Sequence, residues 1–88
     1  MSEVFARFYR INGLVQGVGF RPTVYRIALE LGLKGEVFND AMGVGVVLEG
    51  KKEDVLAFPD VLLREKPPLA RIDYIRPEER KARGYTEF

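Results

Sequence analysis

Four stretches of the chain are predicted to be β-strands. In the first, Tyr9, Ile11 and Val15 lie on one face with the period of two that is typical of β-strands, although Phe8 falls on the polar face, and in the third Val44, Val46 and Leu48 share a face. The predicted strands cover residues 4–15, 35–39, 44–48 and 69–75. The link between the second and third strands is short and ends in Gly43, so these strands are predicted to form a β-hairpin. Residues 77–83 are predicted to be a charged turn region, after which residues 85–88 can add a short final strand.

Two further stretches carry apolar residues at the spacing of an amphipathic helix. Residues 22–31 place four of them on one stripe, and Gly32 follows as a stop signal. The four are Val24, Ile27, Ala28 and Leu31. Residues 52–65 predict a second helix that contains Pro59. Because an interior proline removes a backbone hydrogen bond and clashes with the preceding turn, we expect a kink there or a helix that begins again at Pro59.

The predicted elements follow the order β-α-β-β-α-β. This order predicts an α+β protein with a ferredoxin-like two-layer sandwich. Its antiparallel sheet carries two helices on one face, and the short fifth strand can add to an edge. With 88 residues, the chain is expected to form a single domain over residues 1–88.

The composition excludes several kinds of chemistry. The chain contains no cysteine and no histidine, which excludes disulfides, cysteine or histidine metal sites, and Ser-His-Asp or Cys-His catalysis. Fourteen basic and thirteen acidic residues give a net charge of +1, which argues against a large nucleic-acid footprint. No apolar run approaches the roughly 18 residues of a membrane span, and residues 1–4 lack a signal-peptide pattern. We therefore expect a cytoplasmic protein with no metal, cofactor, nucleic-acid partner or membrane contact.

A glycine-rich loop between the first strand and the first helix carries the candidate chemistry. Gly17 and Gly19 flank one valine, and Pro22 follows where the helix is predicted to start. Glycine permits positive φ and close approach of a ligand to the backbone. The N–H groups of such a loop at a helix N-terminus can bind an anion. The predicted phosphate-binding residues are Gln16, Gly17, Val18, Gly19, Phe20 and Arg21.

Arg21 lies at the lip of this loop, where its planar guanidinium can pair with phosphate oxygens. The loop is not a Walker A motif, because no Gly-Lys-Ser/Thr follows. It is not a dinucleotide-binding motif either, because Pro22 stands where the third glycine would be. Residue types alone leave two alternatives open, a loop that binds nothing and an Arg21 that forms a surface ion pair.

The predicted fold brings the far end of the second strand, where Asn39 lies, near this loop. An asparagine amide can orient a water molecule but cannot act as a general base. Residue types alone favour a different role, that of a turn-forming asparagine ahead of Asp40.

Two segments of the chain resemble the acylphosphatase family. They are Val-Gln-Gly-Val-Gly-Phe-Arg at residues 15–21 and Gly-Glu-Val-Phe-Asn at residues 35–39. The resemblance extends over nearly the whole chain. The run Pro-Pro-Leu-Ala-Arg-Ile-Asp at residues 67–73 is more narrowly similar to the acylphosphatase-like N-terminal domain of hydrogenase maturation carbamoyltransferases.

The resemblance implies hydrolysis of the carboxyl–phosphate bond of a small acyl phosphate, with carbamoyl phosphate as the expected substrate of the narrower group. It implies that Arg21 binds the phosphoryl group and that Asn39 positions the attacking water, so these two are the predicted catalytic residues. The chain is then either one domain of a larger maturation protein or a stand-alone relative. A competing hypothesis is a non-catalytic ferredoxin-like binding module for RNA or a small ligand. An RNA-binding module of that kind displays aromatic residues on the open sheet face, here around Phe8.

Overall fold

The computed structural model describes residues 4–88, so residues 1–3, and with them most of the segment predicted to lack a signal-peptide pattern, lie outside the described residues. The six elements follow one another in the predicted order. They are β1 (Phe5–Leu14), α1 (Phe20–Glu30), β2 (Lys34–Asp40), β3 (Gly43–Gly50), α2 (Lys52–Glu65) and β4 (Arg71–Glu79). Within the described range, neither helix is long and apolar enough to cross a membrane.

The four strands form one antiparallel sheet in the order β2-β3-β1-β4. Buried residues of both helices form a single cluster with strand residues on one face of the sheet. The largest members include Tyr9, Ile11, Phe20, Ile27 and Phe58. The predicted α+β, ferredoxin-like sandwich with two helices on one face is therefore confirmed. Because β1 and β2 run in the same direction, both strands finish at the same end of the sheet.

α1 begins two residues earlier than predicted, at Phe20 rather than at Pro22. Gly19 is the residue before the helix and has a φ of 79°, in the left-handed region that favours glycine. Pro22 is thus the third helical residue, where the N–H that it lacks would have no partner within the helix. Arg21 therefore belongs to the first turn of α1, which fixes its backbone.

α2 continues through Pro59 as one helix, so the predicted new helix start does not occur, while a kink there stays a prediction. Proline has no N–H for the carbonyl four residues earlier, which belongs to Val55. The Tyr9 hydroxyl donates to that carbonyl instead, at 2.8 Å, from the central strand β1. Burial raises the pKa of Tyr9, which keeps the hydroxyl protonated and able to donate. The carbonyl that Pro59 leaves free is thus satisfied by a distant side chain.

We expect Tyr9→Phe to lower the free energy of unfolding by about 1–3 kcal/mol, because it leaves the buried Val55 carbonyl without a donor. In a Pro59→Ala background, the new N–H of residue 59 can donate to the same carbonyl, so the cost of Tyr9→Phe should shrink. Denaturant unfolding of the four proteins in this double-mutant cycle measures the difference. An equal loss in both backgrounds would contradict the pairing of Tyr9 with Pro59.

β4 runs to Glu79, beyond its predicted end at residue 75, and it includes Pro77. The turn that the sequence predicts from residue 77 onward is therefore wrong over the first three residues. β4 lies at an edge of the sheet, and an edge strand accepts a proline because one side of its backbone needs no partner strand. Pro77 accordingly lies in register with Tyr9 of β1.

The predicted fifth strand over residues 85–88 does not form. Residues 80–88, called the tail below, are irregular and cross the sheet face opposite the helices. The carboxylate of Glu49, a residue only 1% exposed, accepts three backbone N–H groups of the tail. The donors are Arg83, Gly84 and Tyr85. The tail forms one backbone hydrogen bond with β2, in which the Gly35 N–H donates to the Glu87 carbonyl at 3.1 Å.

Candidate functional site

The loop between β1 and α1 is held at both ends by buried side chains and is largely exposed between them. Val15 and Phe20 are 3% and 1% exposed. Gly17 and Gly19 between them have φ values of 74° and 79°. A Cβ at either glycine would meet no atom within 4 Å, so the left-handed backbone rather than a lack of space requires glycine here. The loop is therefore a fixed bend with an open outer side.

The backbone N–H groups of this loop are not used by the fold. Throughout residues 4–88, the backbone hydrogen bonds outside the helices and strands include none donated by residues 16–19. α1 has no side-chain cap and no acidic residue in its first turn. Free N–H groups at a helix N-terminus favour an anion, because the aligned peptide dipoles add positive potential there. The loop thus holds the donors that its predicted phosphate-binding role requires.

The side chains of the predicted phosphate-binding residues differ in what they can offer. Phe20 is buried in the core and Val18 packs against that core, so these two can present only their backbone to a ligand. Gln16 and Arg21 are exposed. Only these two residues of the loop therefore have polar side chains available to meet a bound anion.

The Arg21 guanidinium is exposed and, in the part of the chain that the structure describes, forms no ion pair. By contrast, Arg26 on the same helix pairs with Glu65 at 2.7 Å and with Glu30 at 3.2 Å. The alternative that Arg21 is a surface ion-pair residue is therefore not supported by the fold. Arg21 instead borders a depression of about 310 Å³, called the Arg21 depression below. Its other lining residues are Pro22, Tyr25 and Val37.

Asn39 lies on β2 and points to the sheet face that carries the helices. It is in register with Val44 of β3, and Val37 lies two residues earlier on the same face. The following turn is closed by Asp40, whose carboxylate accepts the Met42 N–H at 2.9 Å. The Asn39 amide is exposed and has no hydrogen-bond partner among residues 4–88. The turn-forming role that residue types favour therefore belongs to Asp40.

The negative charge of Asp40 is paired on the other face of the sheet. The Arg10 guanidinium lies 2.8 Å from its carboxylate. The Met42 N–H, and after it the Arg10 guanidinium, lower the pKa of the Asp40 carboxyl, so it stays ionised. Pairing with Arg10 reduces the repulsion that this charge would exert on an anion bound beside Asn39.

The fold places the loop, Arg21 and Asn39 at one end of the molecule, because β1 and β2 both end there. Val37 is common to both parts of the site, because it lines the Arg21 depression and lies on the same sheet face as Asn39. Tyr25 also lines the depression, although no role in the site was predicted for it from the sequence. The signal that could have found it is its spacing from Arg21, because residues four apart share a helix face.

The Phe8 ring, around which the RNA-binding hypothesis expects exposed aromatic residues, is shielded on the sheet face opposite the helices. Phe8 is only 5% exposed. Its ring packs near Phe38, with 6.2 Å between ring centroids, and the Arg80 guanidinium of the tail lies 4.9 Å from the Phe8 centroid. RNA-recognition modules stack bases on exposed rings of this face. The feature expected of that competing class is therefore covered by the tail.

Comparison with known proteins identifies the family of the chain. The family model described as acylphosphatase matches residues 7–88. The chain belongs to the acylphosphatase family. The chain is 39% identical over 79 residues to the acylphosphatase of Treponema denticola, covering 89% of this chain and 83% of that protein.

The chain is also similar to part of a group of larger proteins. It is 52% identical over 79 residues to the probable carbamoyltransferase HypF of Methanocaldococcus jannaschii, covering 90% of this chain but 10% of that protein. A crystal structure of full-length HypF in a phosphate- and nucleotide-bound form matches with a TM-score of 0.95 and 39% identity, covering 100% of this chain and 12% of that one. The chain thus spans about a tenth of the length of these relatives. The narrower resemblance to the acylphosphatase domain of carbamoyltransferases is confirmed.

Proposed function

We propose that the chain hydrolyses the carboxyl–phosphate bond of a small acyl phosphate. The observation that carries this proposal is the set of uncommitted groups at one end of the sheet: the N–H groups of residues 16–19, the Arg21 guanidinium and the Asn39 amide. Membership of the acylphosphatase family supports the same reaction.

In this proposal, the loop N–H groups and Arg21 bind the phosphoryl oxygens and stabilise the charge that they carry in the transition state. Asn39 orients the water that attacks phosphorus, and the acyl carboxylate leaves. An amide cannot accept the proton of that water, and the chain has no histidine to do so. The proton therefore passes to a phosphoryl oxygen of the substrate or to bulk water.

The finer proposal is that the substrate is carbamoyl phosphate. The chain would then work in the cytoplasm as the N-terminal domain of a larger [NiFe]-hydrogenase maturation carbamoyltransferase. Its support is the higher identity to the HypF carbamoyltransferase than to the acylphosphatase of T. denticola. A free-standing acylphosphatase that acts on general acyl phosphates is the alternative. A non-catalytic RNA-binding module has less support, because the tail covers Phe8.

We expect the chain to hydrolyse carbamoyl phosphate at least as efficiently as acetyl phosphate. Initial rates of phosphate release from carbamoyl, acetyl and benzoyl phosphates give kcat/KM for each substrate. Arg21→Ala protein purified in the same way controls for contaminating phosphatases and for spontaneous hydrolysis. A clear preference for benzoyl phosphate would favour the free-standing alternative, and hydrolysis of none of the three would contradict the proposed function.

Turnover at saturating substrate is expected to vary little between about pH 6 and pH 8, because neither arginine nor asparagine changes charge in that range. An inflection below that range should follow the second ionisation of the substrate phosphate, a step that lies at about 6 for ordinary phosphate esters. A chelator should leave the rate unchanged, since N–H groups and a guanidinium supply the charge stabilisation. Initial rates across about pH 5–9, with and without a chelator, measure both effects. A bell-shaped profile centred near neutrality, or activity lost to the chelator, would contradict this mechanism.

A further inference from the structure

Tyr25 has one ring neighbour and one open side. It lies one helical turn after Arg21 on α1 and lines the Arg21 depression. The residue is 48% exposed. The Phe88 ring of the tail packs against it, with 6.0 Å between centroids and 60° between ring planes. Phe88 itself packs against the hydrophobic core, so it gives the Tyr25 ring a fixed support.

The lining of the Arg21 depression combines one charged residue with a mostly apolar surface. Arg21 is the one charged residue among the four that line it, and Pro22, Val37 and the Tyr25 ring form the rest. A phosphoryl group held by the loop and Arg21 has its charge satisfied at one border of the depression. The apolar remainder suits an uncharged, planar group rather than a second charge.

We propose that the Tyr25 ring is the wall against which the acyl group of the substrate packs, and that Phe88 is the positioning residue that holds this ring in place. This inference rests on the proposed hydrolysis of a small acyl phosphate and adds a contact for its acyl group, which does not depend on the finer choice of carbamoyl phosphate as the substrate. Flat acyl groups such as carbamoyl, acetyl and benzoyl lie against the ring face, and contact with the ring increases with the area of the acyl group.

Steady-state kinetics with acetyl, carbamoyl and benzoyl phosphates, together with the inhibition constant of inorganic phosphate, tests this proposal. The variants are Tyr25→Ala, Tyr25→Phe and Phe88→Ala. The matched control is Tyr74→Ala, which removes a tyrosine of similar exposure, 44%, from β4 outside the Arg21 depression. Far-ultraviolet circular dichroism and thermal melting establish that each variant is folded.

Tyr25→Ala should raise KM about 2- to 10-fold, which corresponds to the loss of one aromatic contact. The increase should be largest for benzoyl phosphate, while kcat and phosphate inhibition stay within about twofold of wild type because the loop and Arg21 are unchanged. Phe88→Ala should change KM in the same direction by a smaller factor. Tyr25→Phe, which keeps the ring, and the control Tyr74→Ala should behave like wild type.

An active wild-type protein whose KM values are unaltered by Tyr25→Ala would overturn this inference and leave the proposed function intact. Equal KM increases for all three substrates, or a Tyr25→Phe variant as impaired as Tyr25→Ala, would also overturn the packing role of the ring. A wild-type protein that hydrolyses none of the acyl phosphates would overturn the proposed function and this inference with it.

Discussion

Arg21→Ala is expected to abolish measurable hydrolysis, a loss of at least about 10²–10³-fold in rate, and to weaken inhibition by free phosphate. The guanidinium supplies a permanent charge and parallel donors to the phosphoryl oxygens, both when substrate binds and when charge develops in the transition state. Since Arg21 forms no ion pair within residues 4–88, its removal should change the free energy of unfolding by no more than about 0.5 kcal/mol. The Arg21→Ala variant should therefore lose its activity but keep its stability.

One further variant separates charge from geometry at this position, and a second variant elsewhere on a helix serves as its control. Arg21→Lys keeps the charge but not the planar fork, so it should retain part of the phosphate affinity and little of the rate. Arg64→Ala is the matched control, because it removes an exposed helical arginine whose contact with Glu65 is long, at 3.9 Å. Near-wild-type turnover of Arg21→Ala, measured alongside this control, would show that the proposed site is wrong.

Asn39→Ala is expected to lower kcat by about 10²-fold while the inhibition constant of phosphate changes little. An amide that orients the attacking water contributes mainly after the substrate is bound, so its loss appears in turnover rather than in phosphate affinity. The Asn39 side chain has no structural partner in the described fold, and Asp40 closes the turn on its own, so stability should be retained.

The variant Asn39→Asp provides the contrasting result. It keeps the shape of the side chain but adds a negative charge, which should weaken phosphate inhibition as well as turnover. Lys34→Ala controls for general effects on β2, because it lies at the other end of the strand, about 17 Å away. A large loss of phosphate affinity in Asn39→Ala would instead make Asn39 a direct ligand of the phosphoryl group.

Hydrophobic periodicity predicted the elements most directly where the fold buries one stripe, as on β3 and α1, whereas the edge strand β4 has no buried residue. On β3, Val44, Val46 and Leu48 alternate toward the helices and all are fully buried. On α1, Val24 and Ile27 of the predicted stripe are likewise buried. Local patterns of this kind report which face of an element meets the core, and this determines element type and order.

The features that the sequence did not predict depend on partners far away along the chain. Pro59 is accommodated by the hydroxyl of Tyr9, and Pro77 is accommodated by the edge position of β4. Residues 85–88 do not form a strand, and the buried Glu49 carboxylate instead accepts the backbone N–H groups of Gly84 and Tyr85. Alternation alone places Glu49 on a solvent face, and only the covering tail makes it a buried acceptor.

The candidate site shows the same division between local and long-range information. Positive φ at Gly17 and Gly19 and an anion-binding helix start can be predicted from the residue types of the loop. Residue types favour a turn role for Asn39, and its uncommitted amide becomes evident only when Asp40 is seen to close the turn. The role of Tyr25 depends on Phe88, which lies at the far end of the sequence.

Phosphate binding by the loop is most directly tested by titrating the isotope-labelled protein with inorganic phosphate and following the backbone amide signals by NMR. We predict saturable shifts concentrated at residues 16–21, where the N–H groups are free, and weaker binding in Arg21→Ala. A second cavity, of about 330 Å³, lies at the opposite end of the sheet and is lined by Lys34 and Lys51 together with Glu49. Shifts confined to that cavity, with the signals of residues 16–21 unmoved, would contradict the phosphate-binding loop and the mechanism built on it.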